Sequence, residues 1–208
     1  MKEDFTSTLR LLDEALARYV RPDTFPLAIR MLKPGEEIPE GVKIPSKTMG
    51  EQWIVCQSIG VARRYGWAVA VGKDDVICPL AAIAFGFRKP NDEYLRGFAS
   101  VGMYCKDEQA AASLEASTWR FEPGAYDYVC VAPLNRTSFE PHVVEVYANS
   151  AQVLRLVHAS LYCHGARGLD QRRPPGLRRD RYSNPDHQRA QGDSAVHWGS
   201  RVWHGPGQ

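Results

Sequence analysis

The chain has 208 residues, 44% apolar and 24% charged, which fits a single globular domain with one sizeable core. No apolar run approaches the ~18 residues of a membrane span, and the charged start Met-Lys-Glu-Asp-Phe is not a signal peptide. Five cysteines, an odd number without paired spacing, argue against a disulfide framework and for a cytoplasmic location. The net charge of +2 is unevenly spread: from Gly165 onward eight arginines stand against four aspartates, leaving −2 for residues 1–164. The main body therefore has no basic stripe to recruit nucleic acid.

In chain order, the pattern predicts a helix over Lys2–Val20 with Phe5, Leu9, Leu12 and Leu16 on one face, ended by Arg21-Pro22-Asp23. Phe25–Leu32 reads as a strand in which Leu27, Ile29 and Met31 share a side. A loop rich in proline and glycine leads to a helix over Glu51–Tyr65, stopped by Gly66. Trp67–Val71 is short and continuously apolar, as a buried strand should be. Cys78-Pro79 then opens a helix to about Phe87, with Leu80, Ile83 and Ala84 inward.

Asn91 or Asp92 caps a helix holding Tyr94, Leu95 and Phe98, and Asp107 begins another that reaches Leu114. Tyr126–Leu134 and Val143–Ala148 read as strands that pair with each other across Asn135–Pro141. Asn149 with Gln152 three residues on forms a capping box, opening a helix with Val153, Leu154, Val157 and Leu161 on one stripe. Interleaved helices and strands with short links and a hairpin-like pair predict a mixed α/β (α+β) single domain.

Residues 165–208 form an Arg/Gly/Pro-rich tail with only Leu169, Leu177, Val196 and Val202 as larger aliphatic anchors. The composition predicts disorder. A second reading is translation out of frame, since the segment lacks lysine, isoleucine, phenylalanine and methionine. An arginine-rich arm is the weaker reading, because four aspartates dilute its charge.

Chemistry concentrates on two thiols. Cys78 is placed at an N-cap by the proline after it, where unpaired amides and the positive end of the helix dipole favour a thiolate. Cys56 lies on a helix with Gly60 one turn on and Arg63 two turns on along its face. A glycine there costs about 1 kcal/mol against alanine, which predicts a close approach by some other group. Against a site stands packing: free cysteine often acts only as a small hydrophobe, and Arg63 with Arg64 also complements the dipole at its helix end.

Asp74 and Asp75 read as turn and pre-cap residues, His158 as a satisfied or surface histidine, and His142 receives no role. Cys105 falls near a loop, and Cys163-His164, being adjacent on a helix, point apart. Phosphate-loop, dinucleotide, nucleophile-elbow and zinc-protease motifs are absent, as is C-x-x-C. Two readings remain. In one, Cys56 and Cys78, with Gly60 and Arg63, form a thiolate site for a soft metal, an iron–sulfur centre or another cofactor. In the other, the domain is a non-catalytic small-molecule-binding or accessory module whose cysteines pack.

Pro26-Leu27-Ala28-Ile29 followed by Glu37-Ile38-Pro39, then Cys56-Gln57-Ser58 with Ala62-Arg63, then Cys78-Pro79-Leu80-Ala81 with Phe85-Gly86, resembles the prokaryotic family known as domain of unknown function 169. Val146–Gln152 is similar to its strand-to-helix motif, with serine where the family pattern usually has proline. The resemblance covers roughly Phe25 to Cys163 and implies a prokaryotic setting with anaerobic or versatile metabolism. It carries no assigned chemistry. It also implies a continuation with a Pro-Cys-Gly pattern, whereas this chain has no cysteine after Cys163.

Overall fold

The computed structural model describes residues 2–164 and 177–178. The expectations for the rest of residues 165–208 lie outside the described residues. Helix α1 (Lys2–Ala15) continues into a π-helical turn, Leu16–Val20, that closes on Arg21 in the left-handed region at φ 58°. Then follow β1 (Leu27–Leu32), α2 (Pro45–Thr48), α3 (Val55–Tyr65), β2 (Val69–Gly72), α4 (Pro79–Ala84), α5 (Asp92–Leu95) and α6 (Glu108–Ser117). The remaining elements are β3 (Arg120–Phe121), β4 (Tyr128–Pro133), a 3-10 turn Leu134–Arg136, β5 (Val143–Glu145), α7 (Ser150–His164) and β6 (Leu177–Arg178).

Four strands form one antiparallel sheet in the order β2-β4-β1-β5, and β3 pairs with β6. This makes the chain a mixed α+β domain, but the expected β4–β5 hairpin is not formed. Strand β1 lies between them, pairing Ile29 with Val131 on one side and with Val143 on the other. The reason is burial. Leu27, Ala28 and Leu32 are almost wholly buried, and a strand apolar on both faces stands inside a sheet with its amides paired on both sides.

Period-2 alternation sorts the sheet into two cores. Leu27, Met31, Val69, Val71, Val129 and Val131 face α3 and α4. Ala28, Leu32, Ala70, Cys130 and Ala132 face Leu16, Val20 and the half-buried Leu9 and Leu156 on the other side. The half-buried stripe of α1 runs through Phe5, Leu9 and Asp13 to the buried Leu16 of the π-helical turn, and Leu12 turns outward at 38% exposure. On α7, Gln152, Val153, Leu156 and Val157 turn inward, whereas Leu154 and Leu161 are exposed.

The capping signals are realised. Asn91 Oδ1 accepts from the Tyr94 amide at 2.9 Å and Asp107 Oδ1 from Ala110 at 2.8 Å. Asn149 and Gln152 exchange side-chain-to-amide bonds at 2.8 and 3.0 Å. Gln152 Nε2 also donates to the Arg21 carbonyl at 2.5 Å, tying α7 to the end of the π-helical turn. Phe98 falls outside α5, because that helix is a single turn closed at Gly97, φ 84°.

Candidate functional site

Helix α3 starts at Val55, four residues later than the pattern implied, because the Gln57 side chain accepts the Ile54 amide at 2.8 Å and sets the first turn there. Cys56 is thus in the first helical turn rather than inside the helix. Val55, Ser58 and Ala62 are buried against the sheet, which leaves Cys56, Gly60 and Arg63 along one edge of the helix at i, i+4 and i+7. Cys56 is exposed and its thiol is free. The close approach expected at Gly60 is not found among the described residues: a Cβ there would meet none of their atoms within 4 Å. Gly60 leaves a gap in the stripe instead.

The side chains next to Arg63 come from the sheet edge. Glu145 is paired with Leu27 and Val143 with Ile29, so side chains of this alternation point to the α3 side, while Val144 and Val146 point into the other core. Tyr147 continues the same alternation just beyond β5 and packs against the α3-side cluster. The Arg63 guanidinium carbon lies 3.9 Å from the Tyr147 ring centroid, a close cation–π contact. Arg63 Nε is buried without a hydrogen-bond partner among the described residues.

Charge couples these groups. Burial pushes the Tyr147 phenol up to about 12, helped by the Glu145 carboxylate and by Cys56 and opposed by Arg63. Burial likewise raises Glu145, opposed by the hydrogen bond that Tyr147 donates to it and by Arg63. The structure therefore brings Cys56, Gly60 and Arg63 together with Tyr147 and Glu145.

Cys78 is the N-cap of α4 with Pro79 at the first helical position, as expected, but its side chain makes no capping hydrogen bond. It is half-buried and packs against the α3-side core. Gln52 Nε2 donates to the Asp74 carbonyl at 2.6 Å, joining the approach to α3 with the loop before Cys78. The two cysteine-bearing helix starts thus lie at the same end of the fold. Among the described residues, however, no three His, Cys, Asp or Glu side chains gather as a metal site. A closed structural zinc or iron–sulfur centre takes four ligands, which this donor set does not supply.

The opposite end of α3 is cationic. The Arg63 carbonyl accepts the Phe25 amide at 3.1 Å, so this end sits where β1 begins. Arg136 lies 5.4 Å from the Phe25 ring centroid and Lys43 5.8 Å from that of Trp67, with exposed Arg64 between them in sequence.

The other singled-out residues serve elsewhere. Asp75 is buried, and its Oδ2 accepts the Gly72 amide at 3.0 Å, a turn role. His158 is exposed. His142 Nδ1 accepts the Met31 amide at 3.2 Å, and burial, followed by Arg30, pushes its pKa down, so it is a neutral structural acceptor. Tyr147 and Glu145 do not stand out in the sequence alone. The available signal was one acid and one tyrosine on alternate positions of an otherwise apolar strand, but the face they occupy depends on pairing with β1.

No helix among the described residues is long and apolar enough to cross a membrane. No solved structure matches the chain. The uncharacterized protein MJ0308 of Methanocaldococcus jannaschii is 33% identical over 144 residues, covering 68% of this chain and 59% of that protein. The chain thus matches less than two thirds of its relative's length. The profile of the DUF169 family, described as Uncharacterised ArCR, matches residues 15–169, across both cores and the α3–Tyr147 site, and the chain belongs to that family.

Proposed function

We propose that this domain holds a small anionic ligand or cofactor between the Cys56–Gly60–Arg63 edge of α3 and Tyr147. The observation that carries this reading is the arginine itself. Its guanidinium is stacked 3.9 Å from an aromatic ring with Nε unpartnered, beside a gap where Gly60 contributes no side chain. A stacked guanidinium is a preorganised fork for a carboxylate or phosphate. Ordering it in advance lowers the cost of binding. Cys56 adds an exposed thiol at the other end of the gap, able to contact or coordinate the ligand. Cys78 shapes this end of the fold by setting the start of α4.

Native mass spectrometry of anaerobically purified chain, with metal and sulfide analysis, tests the reading. A non-covalent adduct that is lost in Arg63→Ala and Gly60→Leu, and kept in Cys78→Ala, supports the anion site. Stoichiometric metal abolished by both Cys56→Ala and Cys78→Ala replaces it with a two-thiolate centre completed by donors beyond the described residues. Apo mass in every form, with no anion binding, ends both readings.

A further inference from the structure

The segment between α5 and α6 displays large apolar side chains to solvent. Phe98 is 77% exposed, Met103 70% and Tyr104 66%, with Val101 and Leu114 of α6 at 37% and 41%. A few scattered apolar residues need no explanation, but a contiguous patch does. Gly97 packs so closely on Ala111 that a Cβ would overlap it, which sets this loop against α6, and Leu114 is one turn further along that helix.

The loop is held from beneath. The Ser100 carbonyl accepts the amides of Met103, Tyr104 and Cys105 at 3.3, 2.9 and 3.0 Å, and Gly102 donates to the Cys105 carbonyl at 2.9 Å. The buried Ser100 hydroxyl donates to the buried Glu115 carboxylate. That carboxylate, with the Arg120 guanidinium, also acts on the buried Tyr94 phenol. The Ser100 carbonyl bonds and the Ser100–Glu115 hydrogen bond together hold a loop whose apolar tip faces water. Such a surface gains little for the isolated chain and much for a complex, because the ordering cost is already met.

We infer that this face, centred on Phe98, Met103 and Tyr104, is a homodimer interface joining two copies of the chain. Area and charge argue for that occupant. With about 200 Å² for a large apolar or aromatic side chain, the exposed fractions amount to roughly 550 Å² per copy, so a symmetric pair can bury up to ~1,100 Å² from these five residues. That exceeds the ~1,000 Å² a specific interface should clear, before its rim is added. The rim carries exposed Glu93, Asp107 and Glu108 together with Arg96 and Lys106. Mixed signs around one patch are what an isologous contact needs, since the same surface must complement itself across a two-fold axis. A lipid surface would instead favour a cationic rim.

Light scattering on the size-exclusion eluate of the full chain, at micromolar concentration, tests this directly. The wild type is expected at twice the 23.3 kDa chain mass. Phe98→Glu and Met103→Glu alter exposed side chains, so both fold with unchanged circular dichroism; each weakens dimerisation about 30-fold or more, as loss of a central anchor does. A wild type that stays at the mass of one chain overturns the inference, including the case in which it binds anionic vesicles as a monomer. So does a dimer equally stable in both variants.

Discussion

Arg63 of α3 and Tyr147 beyond β5 meet with the guanidinium carbon 3.9 Å from the ring centroid, although eighty-four residues separate them in sequence. The contact joins the Cys56–Gly60–Arg63 edge of α3 to the β5 edge of the sheet, which carries Glu145 and Tyr147 toward it. Replacing Tyr147 by alanine removes a packed ring and its cation contact, at an expected cost of roughly 2–4 kcal/mol in urea unfolding. Phenylalanine keeps the ring and is expected to retain most of that stability. The Tyr147 phenol, raised to about 12 by burial and then by Glu145, holds its proton above the ordinary value of 10.0. Its contribution is complete below pH 10.0 and is lost as pH rises through about 12. The wild-type minus Tyr147→Phe absorbance titration therefore shows a late-ionising phenol.

Gly60 is expected to be replaceable by alanine with a gain in stability of about 1 kcal/mol, from helix propensity alone. The added Cβ meets nothing within 4 Å, so no packing term opposes it. Chemical denaturation at neutral pH measures the gain. A loss of stability would mean that the gap along α3 is occupied.

Glu145 is raised from its ordinary 4.5 chiefly by burial. The folded chain holds this proton to higher pH than the unfolded chain, so stability falls as pH rises from 4.5 through the shifted value and stays lower above it. Glu145→Gln removes that segment of the profile. Urea midpoints for both proteins across the acid-to-neutral range should converge at low pH and favour the variant at neutral pH; parallel profiles would contradict the assignment.

Much of the fold was legible because the signals were local. Pro79 after Cys78 sets a helix start by its fixed φ, and Asn91, Asp107 and the Asn149–Gln152 box set theirs by bonds within a few residues; each start is where the pattern put it. The β4–β5 pairing was misread because β1, one hundred residues away, competes for both strands. A run such as Val143-Val144-Glu145-Val146 gives its alternation but not its partner. For the same reason, half of the candidate site was visible. Cys56, Gly60 and Arg63 follow from helical spacing on one element, whereas Tyr147 and Glu145 join them only through sheet register. The apolar patch at Phe98 was hidden too, since a periodic reading places that side chain inside a helix that ends three residues earlier.

The most direct test of the proposed anion site is the rate of Cys56 alkylation by iodoacetamide, followed by peptide mass spectrometry. Inorganic phosphate, citrate and AMP serve in turn as the added anion. Buried Cys130, its thiol pushed up to about 12 by burial, stays unlabelled in the folded protein and is the internal control. At least one of these anions is expected to slow labelling of exposed Cys56 in the wild type, and Arg63→Ala to abolish the protection without exposing Cys130. Labelling rates that are unchanged by every anion, in a protein that also purifies without a bound small molecule, would contradict the anion site.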